Sequence, residues 1–181
     1  MRTKMISLTV ALMLGAGVAA CGDDEDEPAG GSGAAAAEET PAPAPFDAAA
    51  IAAEIPKNVN KKPTVPELTG EPPAELVTED IVEGKGPEAQ PGDLLTMQYV
   101  GTSFSTNEQF DASWDRQEAF PFQLGGGQVI AGWDEGMVGM KRGGRRLLVI
   151  PPDMGYGPEG SPPVIGPNET LVFVVDLEKI G

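Results

Sequence analysis

The stretch from Phe120 to Gly136, FPFQLGGGQVIAGWDEG, constrains the fold of this chain more than any other segment. Apolar residues alternate at its start with the period of a strand that has one buried face, and three consecutive glycines then break the alternation. Val129, Ile130 and Trp133 follow at helical spacing. A helix this short, with glycine in it, is marginal alone and needs a sheet to pack on. The stretch therefore predicts a strand that leads into a short helix at one end of a sheet.

Runs typical of short strands lie on both sides of this stretch and within it. They are Leu76 to Val82, Leu94 to Gly101, Phe110 to Ala112, Phe120 to Leu124, Arg146 to Ile150 and Leu171 to Ile180. The last run is the clearest, because every second residue from Leu171 to Leu177 is a large apolar one. Many short strands with one helix predict an α+β fold, in which a mainly antiparallel sheet has that helix on one face.

Composition excludes several classes of function. The 181 residues include 28 acidic and 12 basic side chains, and a net charge of -16 argues against nucleic-acid binding. The basic cluster Lys141, Arg142, Arg145 and Arg146 is the exception; it fits either a solvated hairpin turn or an anion site. With one cysteine and no histidine, the chain has no disulfide framework, conventional zinc site or histidine-dependent nucleophile. We expect no metal and no cofactor.

The N-terminus has the pattern of a secretory signal. Arg2 and Lys4 precede an apolar run from Ile6 to Ala20, which is short for a membrane span. The residues VAAC that end at Cys21 resemble the lipobox of bacterial lipoproteins, in which the cysteine is lipidated and becomes the new N-terminus. The alternative is an ordinary signal peptide with a chance cysteine. The resemblance implies a signal peptide over residues 1–20, lipidation at Cys21 and an extracytoplasmic, membrane-anchored lipoprotein.

The next segment, residues 21–55, contains nine acidic residues and no lysine or arginine, together with GGSG and PAPAP. Such a composition predicts a flexible acidic tether that holds a domain away from the membrane. Residues 46–55 have a weak apolar face that allows one or two helical turns. Recurring prolines between Pro56 and Pro73 favour an extended approach to the domain, which we place at residues 56–181 with its core at about 73–181.

Asp111 is the polar residue that most needs an explanation. It follows Phe110 in a predicted strand, and a buried carboxylate requires hydrogen-bond partners such as a tyrosine hydroxyl. The alternative is a turn residue that caps the segment DASWD. Each aromatic residue around it, taken alone, is more typical of a core than of a site.

Three segments closely resemble the FKBP-type peptidyl-prolyl cis/trans isomerases. They are YVGTSFSTNEQFDAS, FPFQLGGGQVIAGWDEG and IPPDMGYGPEGSPPVIGPNETLVFVVDL, and the resemblance runs from about Pro73 to Gly181. It implies a curved antiparallel sheet of five or six strands wrapped around a short helix. It also implies isomerisation of X-Pro bonds in an apolar aromatic pocket, without covalent catalysis.

The resemblance also implies the site residues. The catalytic set is Tyr99, Asp111, Ile130, Trp133 and Tyr156, and the substrate-binding set is Phe110, Phe120, Val129, Val164, Ile165 and Phe173. Trp133 resembles the floor under the substrate proline, the Ile130 N–H and the Tyr156 hydroxyl resemble donors to substrate carbonyls, and Asp111 resembles the carboxylate that faces the rotating amide. Ser161, Met154 and the pair Pro162–Pro163 depart from the family pattern and bear on peptide preference.

The implied partners are proline-containing polypeptides, here exported proteins, and rapamycin-type macrolides. We expect a monomer. Two other functions remain open at this point. One is a non-catalytic module that grips a proline-containing partner in the same pocket, and the other is a purely structural surface lipoprotein.

Overall fold

The computed structural model describes residues 44–181. The predictions for the signal peptide, for Cys21 and for most of the acidic tether fall on residues 1–43 and lie outside the described residues. Within residues 44–181, no helix has both the length and the apolar character needed to cross a lipid bilayer.

Six strands form one antiparallel sheet, so the predicted fold is confirmed. They are β1 (Val77–Val82), β2 (Leu94–Ser103), β3 (Gln109–Ala112), β4 (Phe120–Gln123), β5 (Arg145–Ile150) and β6 (Leu171–Ile180). The sheet order is β1-β5-β6-β2-β3, and β4 pairs with the first half of β2. The two ten-residue strands, β2 and β6, lie side by side at the centre and pair from Leu95–Ile180 to Ser103–Leu171.

The described part of the chain has three short α-helices, where we predicted one in the domain and allowed one or two helical turns over residues 46–55. They are α1 (Ala48–Glu54), α2 (Ser113–Arg116) and α3 (Ala131–Gly136), and two 3₁₀ helices follow at Pro152–Met154 and Gly157–Glu159. The predicted helix is α3. A one-turn helix such as α2 is too short to produce a hydrophobic period, so its sequence does not reveal it. The helix α1 begins where the Asp47 carboxylate accepts the Ala50 N–H at 3.0 Å.

Both faces of the central strands are buried. On one face, Leu148, Phe173 and Val175 pack with Trp133 in what we call the front cluster. On the other, Leu147, Val149, Val172 and Val174 pack with α1 in what we call the back cluster. The strand β6 is therefore buried continuously from Leu171 to Leu177, which explains its nearly unbroken apolar run.

The N-terminal segment, residues 44–70, covers this back face. Ala48, Ala52 and Ile55 of the α1 region are buried in the back cluster, and Phe46 packs edge-on against Phe104 with ring centroids 5.2 Å apart. The packed chain thus reaches at least to Phe46, ten residues before the predicted domain start at Pro56. The weak apolar face of residues 46–55 is the surface that docks.

A buried ion pair fixes the next part of this segment. The Arg145 guanidinium donates to both carboxylate oxygens of Asp176, at 2.6 and 2.8 Å, and the Arg145 side chain is fully buried. The same guanidinium also donates to the carbonyls of Pro56 and Lys61. Because these four acceptors surround one cation, the strands β5 and β6 and the N-terminal segment are held together at this point.

The basic cluster does not form one cationic surface. Besides Arg145, the Arg146 guanidinium donates to both oxygens of Asp80, at 2.8 and 2.9 Å, and the Lys141 ammonium lies 2.6 Å from Glu83. Arg146 also donates to the Gly136 carbonyl at the end of α3, at 2.8 Å. These cations therefore act as internal ties, which argues against an anion site. The predicted solvated hairpin is wrong as well, because Arg145 is buried and β5 follows α3 and pairs with β1 and β6.

Candidate active site

One pocket of about 120 Å³ opens above α3 at the end of the sheet. It contains nine of the eleven pocket residues that the sequence predicted. They are Tyr99, Phe110, Asp111, Phe120, Val129, Ile130, Trp133, Tyr156 and Phe173. These residues come from four strands, the loop before α3, α3 itself and the 3₁₀ region, so only the folded chain brings them together.

The floor of the pocket is the Trp133 indole, which is 4% exposed. It is held there because α3 lies directly on β5: a Cβ on Gly136 would come within 2.8 Å of the Leu148 side chain. Because Gly136 has no side chain, α3 comes close enough to the sheet for Trp133 to reach the centre of the front cluster.

Aromatic rings surround the indole edge-on. The centroids of Tyr99 and Phe173 lie 5.2 Å from that of Trp133, with interplanar angles of 82° and 85°, and Phe120 lies at 5.9 Å and 84°. This T-shaped geometry is favourable for aromatic pairs and locks the orientation of each ring. The result is a rigid apolar hollow.

The loop before α3 is shaped by a carboxylate of that helix. Asp134 accepts the N–H groups of Gly125 and Gly127, at 2.9 and 3.0 Å. Ile130 then precedes the first turn with extended backbone angles, and its carbonyl accepts the Trp133 N–H at 2.9 Å. Among residues 44–181, the Ile130 N–H has no acceptor. A free backbone donor therefore stands beside the apolar floor.

The polar wall of the pocket is a three-residue network. The Tyr99 hydroxyl donates to Asp111 at 2.5 Å, and Arg116 donates to the other Asp111 oxygen and, at 2.7 Å, to the Tyr99 hydroxyl. Burial first, and then the hydrogen bond to Asp111, raise the pKa of Tyr99 above its ordinary value of 10.0, which outweighs the opposite effect of Arg116. Tyr99 therefore stays a neutral donor at physiological pH. The expectation that Asp111 needs a hydroxyl partner agrees with this geometry.

Sequence reasoning missed Arg116 of this wall and Ser113, which supports Tyr99 from behind it; both lie on α2. The fully buried Ser113 hydroxyl accepts the Tyr99 N–H at 2.8 Å and donates to Gln98 at 2.6 Å. One signal was available for Arg116: it is the cation nearest to Asp111 in the sequence, and a partly buried carboxylate favours a cationic partner. Nothing in the pattern indicated Ser113.

The two remaining predicted residues lie outside the pocket lining. Ile165 is buried in the front cluster, where it exchanges two backbone hydrogen bonds with Ser161, each of 2.9 Å. Val164 is 58% exposed on the same loop. Tyr156, by contrast, lines the pocket while 42% of its surface remains exposed, so its hydroxyl is accessible at the rim.

The lining combines an apolar floor with two accessible donors, the Ile130 N–H and the Tyr156 hydroxyl. Serine, cysteine and histidine are all missing from the nine lining residues. Such a pocket is suited to holding an apolar ring and the carbonyl groups beside it.

Comparison with known proteins agrees with this geometry. Residues 86–178 match the model of the family described as FKBP-type peptidyl-prolyl cis-trans isomerase. The chain is 55% identical over 121 residues to the FK506-binding protein of Streptomyces anulatus, a match that covers 66% of this chain and 98% of that protein. It is 51% identical over 118 residues to the probable FK506-binding protein of Corynebacterium glutamicum, covering 65% and 97%.

A solved structure gives the same result for the fold. The crystal structure of AtFKBP13 superposes with a TM-score of 0.55 and 35% sequence identity, over 59% of this chain and 93% of that one. The family match spans β2 to β6 and includes every pocket residue. The chain therefore belongs to the FKBP-type peptidyl-prolyl cis-trans isomerases.

Proposed function

We propose that this isomerase turns X-Pro bonds of exported polypeptides in the pocket above Trp133, and that Cys21 anchors it to a membrane outside the cytoplasm. The observation that carries the catalytic part is the meeting of Trp133, the free Ile130 N–H and the exposed Tyr156 in one hollow. The anchoring part depends on the sequence around Cys21 alone.

The reaction needs a change of environment more than a reactive group. Rotation about a peptide bond meets a barrier of about 18 to 20 kcal/mol because the planar amide is stabilised by resonance. At the twisted transition state this resonance is lost, and the carbonyl becomes less dipolar and depends less on water. An apolar pocket therefore disfavours the planar ground state more than the twisted state, and each tenfold gain in rate needs only about 1.4 kcal/mol of this difference.

The polar groups orient the substrate. The prolyl ring lies on the Trp133 indole, and the Ile130 N–H and Tyr156 hydroxyl hold carbonyls that flank the rotating bond, so that rotation occurs about one bond only. Asp111, held by Tyr99 and Arg116, faces that bond from the opposite wall. This network keeps the carboxylate in one orientation during the turnover.

A proline-peptide isomerisation assay on the purified protein tests the proposal. Trp133→Ala and Asp111→Val should each lower kcat/KM at least tenfold, while Val138→Ala, an exposed residue away from the pocket lining, should leave it unchanged. Circular dichroism should confirm that each variant is folded. Tight peptide binding with no turnover by the wild-type protein would instead identify a non-catalytic binding module.

Macrolide competition tests the location of the site. An FK506- or rapamycin-type macrolide should inhibit turnover of the wild-type protein, and Trp133→Ala should weaken its binding. Equal binding by the wild-type protein and by Trp133→Ala would place the macrolide elsewhere.

Fractionation of cells tests the anchor. Cys21→Ser should release the protein from the membrane fraction, because the cysteine sulfur is the lipid attachment point in a lipobox. Unchanged membrane association of this variant would contradict lipidation.

Isomerisation of X-Pro bonds takes tens to hundreds of seconds uncatalysed and limits the folding of many chains, so an anchored isomerase meets exported substrates as they fold.

A further inference from the structure

The N-terminal segment, residues 44–70, lies before the family match at residues 86–178, yet it contacts α2, the helix that supplies Arg116 to the polar wall of the pocket. Its contact is Lys62. The Lys62 ammonium lies 2.7 and 2.8 Å from the two carboxylate oxygens of Asp115, the third residue of α2. Gln109 of β3 donates to the same carboxylate at 2.9 Å. The hydrogen bond from Lys62 is the largest cause of the lowered pKa of Asp115.

Lys62 is not a free surface cation, because the chain next to it is fixed. The carbonyl of Lys61 accepts a hydrogen bond of 2.8 Å from the fully buried Arg145 guanidinium, and the Lys61 N–H donates to Asn58 at 3.1 Å. The backbone at Lys61 and Lys62 is therefore fixed relative to β5. The Lys62 side chain transmits that position to α2 through Asp115.

The helix α2 in turn holds Tyr99 at both of its ends. The Ser113 hydroxyl accepts the Tyr99 backbone N–H at 2.8 Å, and Arg116 donates to the Tyr99 hydroxyl at 2.7 Å and to Asp111. A helix of four residues has almost no stability of its own, so its placement depends on side-chain ties. Asp115 lies between Ser113 and Arg116 and supplies one of those ties.

We infer that Lys62 is a positioning residue for isomerisation, which acts through Asp115 and α2 on the Tyr99–Asp111–Arg116 wall. The inference rests on the proposed function of the pocket. The Lys62 and Asp115 side chains are 37% and 53% exposed, so the free energy of this ion pair is small and sensitive to salt. The N-terminal segment thereby becomes part of the support of the active site as well as a cover for the sheet.

The test is kcat/KM for a proline peptide, measured with the full protein. Lys62→Met keeps the length of the side chain and removes its charge, and it should lower kcat/KM by about two- to fivefold, the range that an exposed ion pair permits. Lys62→Arg should restore most of the activity. The matched control is Lys61→Met, which changes an exposed side chain and leaves the Lys61 carbonyl in place, and it should have wild-type activity.

Two further measurements separate positioning from general stability. Asp115→Asn should lower kcat/KM by a similar factor, and the double variant Lys62→Met/Asp115→Asn should lose no more than either single one, because both break the same contact. With both proteins measured in about 1 M salt, where the Debye length is about 3 Å, the difference in kcat/KM between the wild type and Lys62→Met should largely disappear.

Additive losses in the double variant, an equal loss in Lys61→Met, or wild-type activity in Lys62→Met would each overturn the inference. Equal turnover by the wild-type protein and by Trp133→Ala would instead overturn the proposed function of the pocket. The two failures are therefore distinguishable.

Discussion

Gly132 lies so close to Ile150 that a Cβ added to it would come within 2.4 Å of the Ile150 Cγ2 atom. This contact places α3 directly on β5. Because Trp133 follows Gly132 in the helix, the distance between Gly132 and Ile150 sets the depth of the pocket floor.

Gly132→Ala should therefore destabilise the protein although alanine favours helix. The helix must move away from a branched, fully buried side chain, and we expect a decrease in the free energy of unfolding of about 1 to 3 kcal/mol together with a lower kcat/KM. Urea unfolding and the peptide assay measure the two effects. Gly136→Ala should cost less, since its contact is the far end of the Leu148 side chain.

The control for this series is Gly166→Ala, where an added Cβ meets no atom within 4 Å. It should leave the free energy of unfolding unchanged or raise it by about 0.4 to 1 kcal/mol. Equal stability of the Gly132→Ala and Gly166→Ala variants would show that α3 can shift without cost.

The buried pair of Arg145 and Asp176 should be costly to break on one side. Arg145→Met leaves the Asp176 carboxylate without its bidentate partner and the Pro56 and Lys61 carbonyls without their donor, and we expect a loss of about 3 to 5 kcal/mol in urea unfolding. Arg145→Met/Asp176→Leu should be more stable than Arg145→Met, because no charge then remains buried. A double variant that is less stable than the single one contradicts this account.

Removal of the N-terminal segment should expose the back cluster. A fragment of residues 73–181 retains the family match, but α1, Ile55 and Leu68 no longer cover Leu147, Val149, Val172 and Val174. Each large apolar side chain that is uncovered loses about 1.5 to 3 kcal/mol, so several kcal/mol of the free energy of unfolding should disappear. Thermal melting of residues 44–181 and 73–181 compares them directly. Identical melting temperatures would contradict a stabilising role for the segment.

The activity should depend little on pH between about pH 5 and pH 8, since the chain has no histidine to titrate in that range. The alkaline side differs, because burial raises the pKa of Tyr99 above 10.0 in the folded state. The folded state then binds this proton more tightly than the unfolded state does. Its stabilising effect is complete below pH 10.0 and is lost as the pH rises through the folded pKa.

Urea unfolding of the wild-type protein and of Tyr99→Phe across this range isolates the effect. The variant should be less stable than the wild type at neutral pH and should lose less stability above pH 10.0. A parallel decrease in the two proteins would assign the alkaline transition to other groups.

The strands were predictable because each has a period of two or a long apolar run with turn residues on both sides. The short helix was predictable because Val129, Ile130 and Trp133 recur at helical spacing, although the first two lie in the loop before α3. The resemblance of three segments then supplied the pocket residues, nine of which meet in the structure. These signals are local, so they can be detected in the sequence alone.

The rest depended on contacts between distant parts of the chain. Within α1 itself the buried residues that face the sheet are alanines, Ala48 and Ala52, and such a weak pattern does not distinguish a docked helix from a free one. Arg116 donates to Tyr99 and Asp111, and Ser113 accepts the Tyr99 N–H; both residues belong to a single turn, α2, where no periodicity exists. Lys62 and Asp115 are 53 positions apart, and only the folded chain joins them.

The attachment of the N-terminal segment to the back of the sheet has a practical consequence. The chain near Ala44 is held by backbone hydrogen bonds with Glu71, while Phe46 lies in the back cluster, on the opposite side of the sheet from the indole floor. A dye or a surface linker joined at Ala44 therefore leaves the mouth of the hollow unobstructed, which makes this position suitable for immobilising the protein in single-molecule recordings.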